Sequence, residues 1–338
     1  MVDHSPIEIH AAALEALSKV YHGPRGPLSP LAPQEYSFEP DEAIRHLVHS
    51  GVLNVSGEPE EWFKPVLETL CNPHRVIELD CGCEESASIS IYINGDTPPV
   101  ALKPKNNQTT VLIASAEVED LLSIVKTMPI TGDAAFSANV GVAEGRALSA
   151  LIDIQRQTAL VSAIRERQSS AEIAAVQSKL PAIQRAIQDA GSAMLSLAWT
   201  SSACFNSLLS AALETSISLD QSLQNLVDTR LIIQRKGEYL LDPLIASWSN
   251  HLLLPKFSCS LTLRQKNLEG KVLIESLLTI LSADTHLTMM YRGGGVVSFN
   301  PLNPSSLPEL LARLYHSEGS LYDLTGLGNL LTDVAVFF

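Results

Sequence analysis

Four residues close together in the chain are of metal-binding type: Cys71, His74, Cys81 and Cys83. Structural zinc sites usually pair their thiolates at CxxC spacing across loops. Here the close pair is CxC, with a single Cys and a His upstream, and no CxxC occurs. Buried thiols therefore account for the group better than a metal does, and neither a metal nor a cofactor is expected. His46 and His49 stand three apart with no acidic residue in the zincin pattern, which reads as a helix surface. No Gly-x-Ser-x-Gly nucleophile elbow is present. Carboxylates are plentiful, but position singles out no acid–base pair. Gly293-Gly294-Gly295 lacks the spacing and the Lys-Ser/Thr ending of a phosphate loop, and reads as a hairpin turn. No residue is left for an enzyme hypothesis to rest on.

A nucleic-acid role has one foothold. Residues 223–241 could form a recognition helix and a wing, with Gln234, Arg235 and Lys236 in the wing. The helix, SLQNLVDTR, offers a single Arg to phosphates or base edges. The whole chain carries 23 basic and 37 acidic residues, a net charge of −14, which repels phosphate backbones. A nucleic-acid partner is not expected.

The elements that would position any site follow from periodicity. Residues 7–21 have helical spacing. The run HGPRGPLSPLAPQEY is an extended strap, because proline lacks an N–H and restricts its neighbour. Asp41 can cap the next helix and Gly51 can end it. Residues 62–70 form a second helix. Strands are expected at 75–80, 86–93, 98–102 and 109–113, with Ile89, Ile91 and Ile93 on one face. Asn94-Gly95-Asp96 is a hairpin turn, since Asn and Gly tolerate positive φ. A helix over 118–128 closes this half. Residues 129–145 read as a linker, and 146–197 and 202–216 as helix, with Pro181 starting or kinking one.

After that block the same order returns. Residues 220–250 read as helix, turn, helix, then come strands at 256–263, 271–281, 286–291 and 296–299, and the helix SLPELLARLY. Leu47 to Leu53 aligns with Leu226 to Ile232, and Pro65 with Pro243 one position out of phase. This predicts an α+β fold of two related halves, each a helix-turn-helix, an antiparallel sheet and a helix. An inserted helical block separates them, and the halves are arranged with pseudo-two-fold symmetry. The boundaries are 1–36 for the N-terminal helix and strap, 37–130 for the first half, 131–216 for the helical block, 217–316 for the second half, and 317–338 for an apolar tail.

Hydrophobic residues make up 46% of 338, enough for a substantial core. No apolar run reaches the ~20 residues of a membrane span. The start, MVDHSPIEIH, has no secretory-signal pattern. Five sparse cysteines fit a reducing cytoplasm.

Two stretches resemble the EspG proteins, cytosolic chaperones of mycobacterial-type type VII secretion. One is GVLNVSGEPEEWFKPVLETLCNPHRVIELD, followed by strands and EVEDLLSIVKTM. The other is THLTMMYRGGGVVSFNPLNPSSLPELLARLY, a strand, a glycine turn, a strand ending in Pro and a helix. The resemblance implies a non-enzymatic protein that covers the apolar tip of a PE–PPE helical heterodimer until export. It also implies that the sheet and loops of the two halves make the contact. The matching loop here is Asn94, Gly95, Asp96, Thr97, Pro98 and Pro99. Two alternatives stay open: a structural or assembly protein forming a homo-oligomer, and a winged-helix regulator.

Overall fold

The structure is a computed structural model. It describes residues 6–20, 23–31, 40–82, 87–95, 97–106, 109–125, 138–166, 173–189, 218–251, 257–267, 269–282, 287–293, 296–301 and 307–316. Mixed helices and antiparallel sheet make it an α+β protein. The chain divides into two compact units. The first comprises Met1–Lys126, Leu261–Ser276 and Leu311–Ser317, and the second the remainder.

In the first unit, β1 (Ile7–His10) is followed directly by α1 (Ala11–Val20). The single helix expected over 7–21 is thus wrong at its start. Ile7 to His10 pair antiparallel with Leu112 to Thr109, and a partner strand outweighs local helical spacing. Next come α2 (Pro40–His49) and α3 (Lys64–Cys71). Asp41 lies inside α2 rather than capping it, and α3 starts two residues later than expected, with Phe63 as its N-cap. The strands β2 (Arg75–Gly82), β3 (Ala87–Ile93), β4 (Val100–Pro104) and β5 (Thr109–Ile113) form an antiparallel meander. Pro98 and Pro99 precede β4 instead of belonging to it. α4 (Val118–Val125) packs on β2 and β3. Strand order in this unit is β1-β5-β4-β3-β2, then β10 (Phe257–Lys266) from Leu261 onward and the start of β11 (Val272–Ser282).

One face of this sheet buries Val76, Tyr92, Val100, Leu102 and Leu112 against α1, α2 and α3, where Leu17, Leu47, Phe63 and Leu67 are buried. Truncating Phe63, which is wholly buried, would cost ~3–5 kcal/mol. The alternate positions Ile77, Leu79, Ile89 and Ile91 are buried as well, so these strands are covered on both sides.

The second unit is built on α5 (Val142–Glu166). Its apolar residues occupy every face instead of one stripe, so it has to be surrounded. α6 (Leu180–Asp189), α7 (Leu219–Asp228) and α8 (Pro243–His251) pack around it. The core joins Leu148, Leu151 and Ile152 with Ile183, Leu223, Leu226, Ile232, Ile245 and Trp248. A three-stranded sheet, ordered β7-β9-β8, closes one side: β7 (Ser178–Lys179), β8 (Ile232–Arg235) and β9 (Glu238–Leu241). β11 continues here beside β12 (Leu287–Gly293), β13 (Val296–Pro301) and β6 (Ala138–Gly141). The first residues of α9 (Leu307–His316) follow, and from Leu311 this helix belongs to the first unit.

Two expectations fail in this unit. β6 lies in the stretch read as linker, held by Val296–Phe299 of β13. Residues 173–179 are extended rather than helical. There, Gln155 Nε2 donates to Ala174 O at 3.2 Å, Gln155 Oε1 accepts from Val176 N at 2.7 Å, and Asn250 Nδ2 donates to Ile173 O at 2.8 Å. These buried amides replace the helical hydrogen bonds. Pro181 stands in the first turn of α6, where it is tolerated. The helix expected at 202–216, the turn glycines Gly294 and Gly295, and the tail lie outside the described residues.

Each unit has an edge strand, β1 or β6, that pairs with the last strand of a meander, β5 or β13. The turns after α2 and α7 also share a bonding pattern. Ser50, Gly51 and Val52 N–H groups donate to His46, Val48 and Leu47 O. Thr229, Arg230 and Leu231 donate to Asn225, Val227 and Leu226 O. Glu60 N donates to Val52 O at 3.1 Å, and Asp242 N to Leu231 O at 3.0 Å. α3 begins at Lys64 and α8 at Pro243, so Pro65 and Pro243 stand one position out of phase in their helices.

Candidate partner-binding site

The loop between β3 and β4 is set by register: Arg75 pairs with Ile93, and Tyr92 with Val100. Gly95 has φ +76°, in the left-handed region, and a Cβ there would meet His74 Cε1 at 3.3 Å. Glycine is thus required twice at this position. After the turn the loop is tied down. Thr69 of α3 contacts the Thr97 hydroxyl, and its Oγ1 lies 3.3 Å from Pro98 O and 3.1 Å from Pro65 O. Ala116 N donates to Pro99 O at 2.8 Å. Gly95 and Pro98 are exposed, whereas Asn94, Thr97 and Pro99 are half-buried. Asp96 lies outside the described residues. The loop offers a fixed backbone and a pyrrolidine ring, equipment for contact rather than for proton transfer.

The metal-type residues are not assembled. Cys71 and Cys81 are buried, and Cys83 lies outside the described residues. Burial pushes the Cys71 thiol up to about 12, against the opposing charge of Arg25, so it stays protonated. Among the described residues no group of three His, Cys, Asp or Glu could hold a metal ion. His46 and His49 are exposed on α2.

One polar surface escaped sequence reasoning. Glu78 pairs with Ser90 and Asp80 with Ser88, on the sheet face that also carries Val76 and Tyr92. Arg264 of β10 reaches Glu78 Oε2 at 2.8 Å. Burial raises the Glu78 carboxyl, with the Arg264 guanidinium opposing it, and burial raises Asp80 as well. The signal was Glu-x-Asp within an otherwise apolar strand. The Glu78 carboxylate is engaged by Arg264, which argues against a free acid–base pair here.

A buried ion pair on α5 is structural. Asp153 and Arg156, one turn apart on α5, approach at 3.4 Å with almost no exposure. Among the described residues no helix is long and apolar enough to cross a membrane.

No family model and no curated protein matches the chain. Among solved structures it is similar to the Mycobacterium tuberculosis type VII secretion system chaperone EspG5, in a complex with a PE25–PPE41 dimer. Identity is 11% over 91% of this chain and 93% of that chain, with a TM-score of 0.42. This is a distant structural resemblance.

Proposed function

We propose that the chain is a non-enzymatic binding protein of the EspG chaperone kind, acting in the cytoplasm. In this reading it covers the apolar tip of a helical, PE–PPE-like secreted pair. The observation that carries the reading is how the two EspG-like stretches fold. Residues 51–80 run through the turn after α2 into α3 and β2. Residues 285–315 give β12, β13 ending at Pro301, and α9. The shared hydrogen bonds after α2 and α7 support an origin of the two halves by duplication, with the pseudo-two-fold arrangement that implies. An uncovered apolar helical tip aggregates, and a rigid loop beside a sheet is a suitable cover for it.

The contact is made by Asn94, Gly95, Asp96, Thr97, Pro98 and Pro99. The test is capture of the tagged full chain from its native cytosol, with mass spectrometry of what is retained. The reading expects a helical secreted pair in stoichiometric amount. Pro98→Glu, which places a charge on an exposed loop position, should reduce recovery about tenfold, ~1.4 kcal/mol. Recovery of the chain alone, in a discrete oligomer, would move the assignment to an assembly protein.

A further inference from the structure

The hairpin β8–β9 differs from its counterpart after α2 in length and in charge. Leu53 bridges Pro59 across a span of seven residues, while Ile232 pairs with Leu241 across ten. The longer hairpin carries exposed Arg235 and Lys236 at its tip, and exposed Arg230 at its base. Lys179 of β7, also exposed, stands opposite Glu238, 3.9 Å from its carboxylate. Four cations therefore stand on or beside this small sheet, with Glu238 within it and Asp228 and Asp242 at its base, in a chain of net charge −14.

Two of these cations occupy costly backbone positions. Arg230 has φ +60° and Lys236 φ +51°, and they are the non-glycine residues with left-handed φ among those described. The left-handed region penalises a Cβ, and the first hairpin uses Gly51 and Gly57 for its own left-handed positions. Lysine and arginine thus stand at positions where glycine is preferred.

The elements α5, β7, α6, α7, β8 and β9, with sheet order β7-β9-β8, follow the helix and strand order of a winged helix. In such a module a nucleic acid would meet the face of the third helix, the second of the helix-turn-helix pair. Here that helix, α7, exposes Asp220, Gln221, Gln224 and Asp228, which a phosphate backbone would repel. The positive charge is on the wing and absent from the helix.

We propose that the β7–β9–β8 sheet is a docking surface for an acidic segment of a protein partner, with Lys179, Arg230, Arg235 and Lys236 facing its carboxylates. Gln234, exposed beside Arg235 and bonded to the Tyr239 hydroxyl at 3.2 Å, holds the wing surface in place. Glu238 is the internal counter-charge that a partner carboxylate displaces from Lys179. This surface does not depend on the chaperone reading.

The test uses the full chain and fluorescence anisotropy. One probe is a labelled peptide of alternating glutamate and serine, the other a labelled DNA duplex. The peptide should bind, and binding should weaken as salt rises. R235E/K236E should weaken it about tenfold or more, ~1.4 kcal/mol or more. E238Q should tighten it, a change of opposite sign that stays readable if the double variant fails to fold. Absence of peptide binding, equal binding by wild type and R235E/K236E, or preference for the duplex would each overturn the proposal.

Discussion

Asp153 sits one turn from Arg156 on α5, and both are buried. Burial lifts its carboxyl from 3.8 to about 7, outweighing the Arg156 charge that pulls it down. A folded-state pKa above the unfolded value means that the folded chain holds the proton more tightly. The stabilisation is therefore complete below the unfolded pKa and is lost as pH rises from about 4 through 7. Melting temperature measured from pH 5 to 8 should fall through this residue, and Asp153→Asn should flatten that part of the profile. An unchanged slope in the variant would refute the assignment. Arg230 makes a second point at this scale. Arg230→Gly should stabilise the chain by about 1 kcal/mol in denaturant titration, because it relieves a left-handed Cβ. Gly51→Ala should cost a similar amount. The role of Gly51 was legible, since glycine after a helical run is a stop signal. That of Arg230 was not, because residue type gives no warning of a cation in the same conformation.

Among elements, the extended stretch 173–179 is held by two side-chain amides. Gln155 also donates to Asn250 Oδ1 at 2.9 Å, so the two act as one clamp. Gln155→Ala would leave Ala174 O and Val176 N without these partners, at a cost of ~1–3 kcal/mol. Limited proteolysis should then cut within 173–179 in the variant well before the wild type. Equal cleavage rates would show that the clamp is dispensable. This stretch was illegible because IAAVQSK has ordinary helical content, and what straightens it comes from 21 and 77 positions away. The same applies to β1 and β6, four residues each, which are strands because β5 and β13 accept them. The meander strands were legible, since alternation as in Ile89 and Ile91 is written into the strand itself. The strand expected over 271–281 agrees with β11.

For the whole molecule, composition set the class, and the doubled order of elements pointed to the α+β content that the fold contains. The candidate loop was legible as a turn from Asn94-Gly95. Its anchoring by Thr69 and Ala116 was not, because those contacts span 28 and 17 positions of chain. Net charge, −14, argues against phosphate partners and leaves the basic wing as a local exception. The central claim is that this chain works by holding a helical partner. Light scattering on the tagged protein, purified gently from its own cytosol, tests it most directly. The account predicts a mass above the 36.5 kDa of one chain by that of a helical pair. A mass equal to a whole multiple of one chain, with no second polypeptide present, would contradict it.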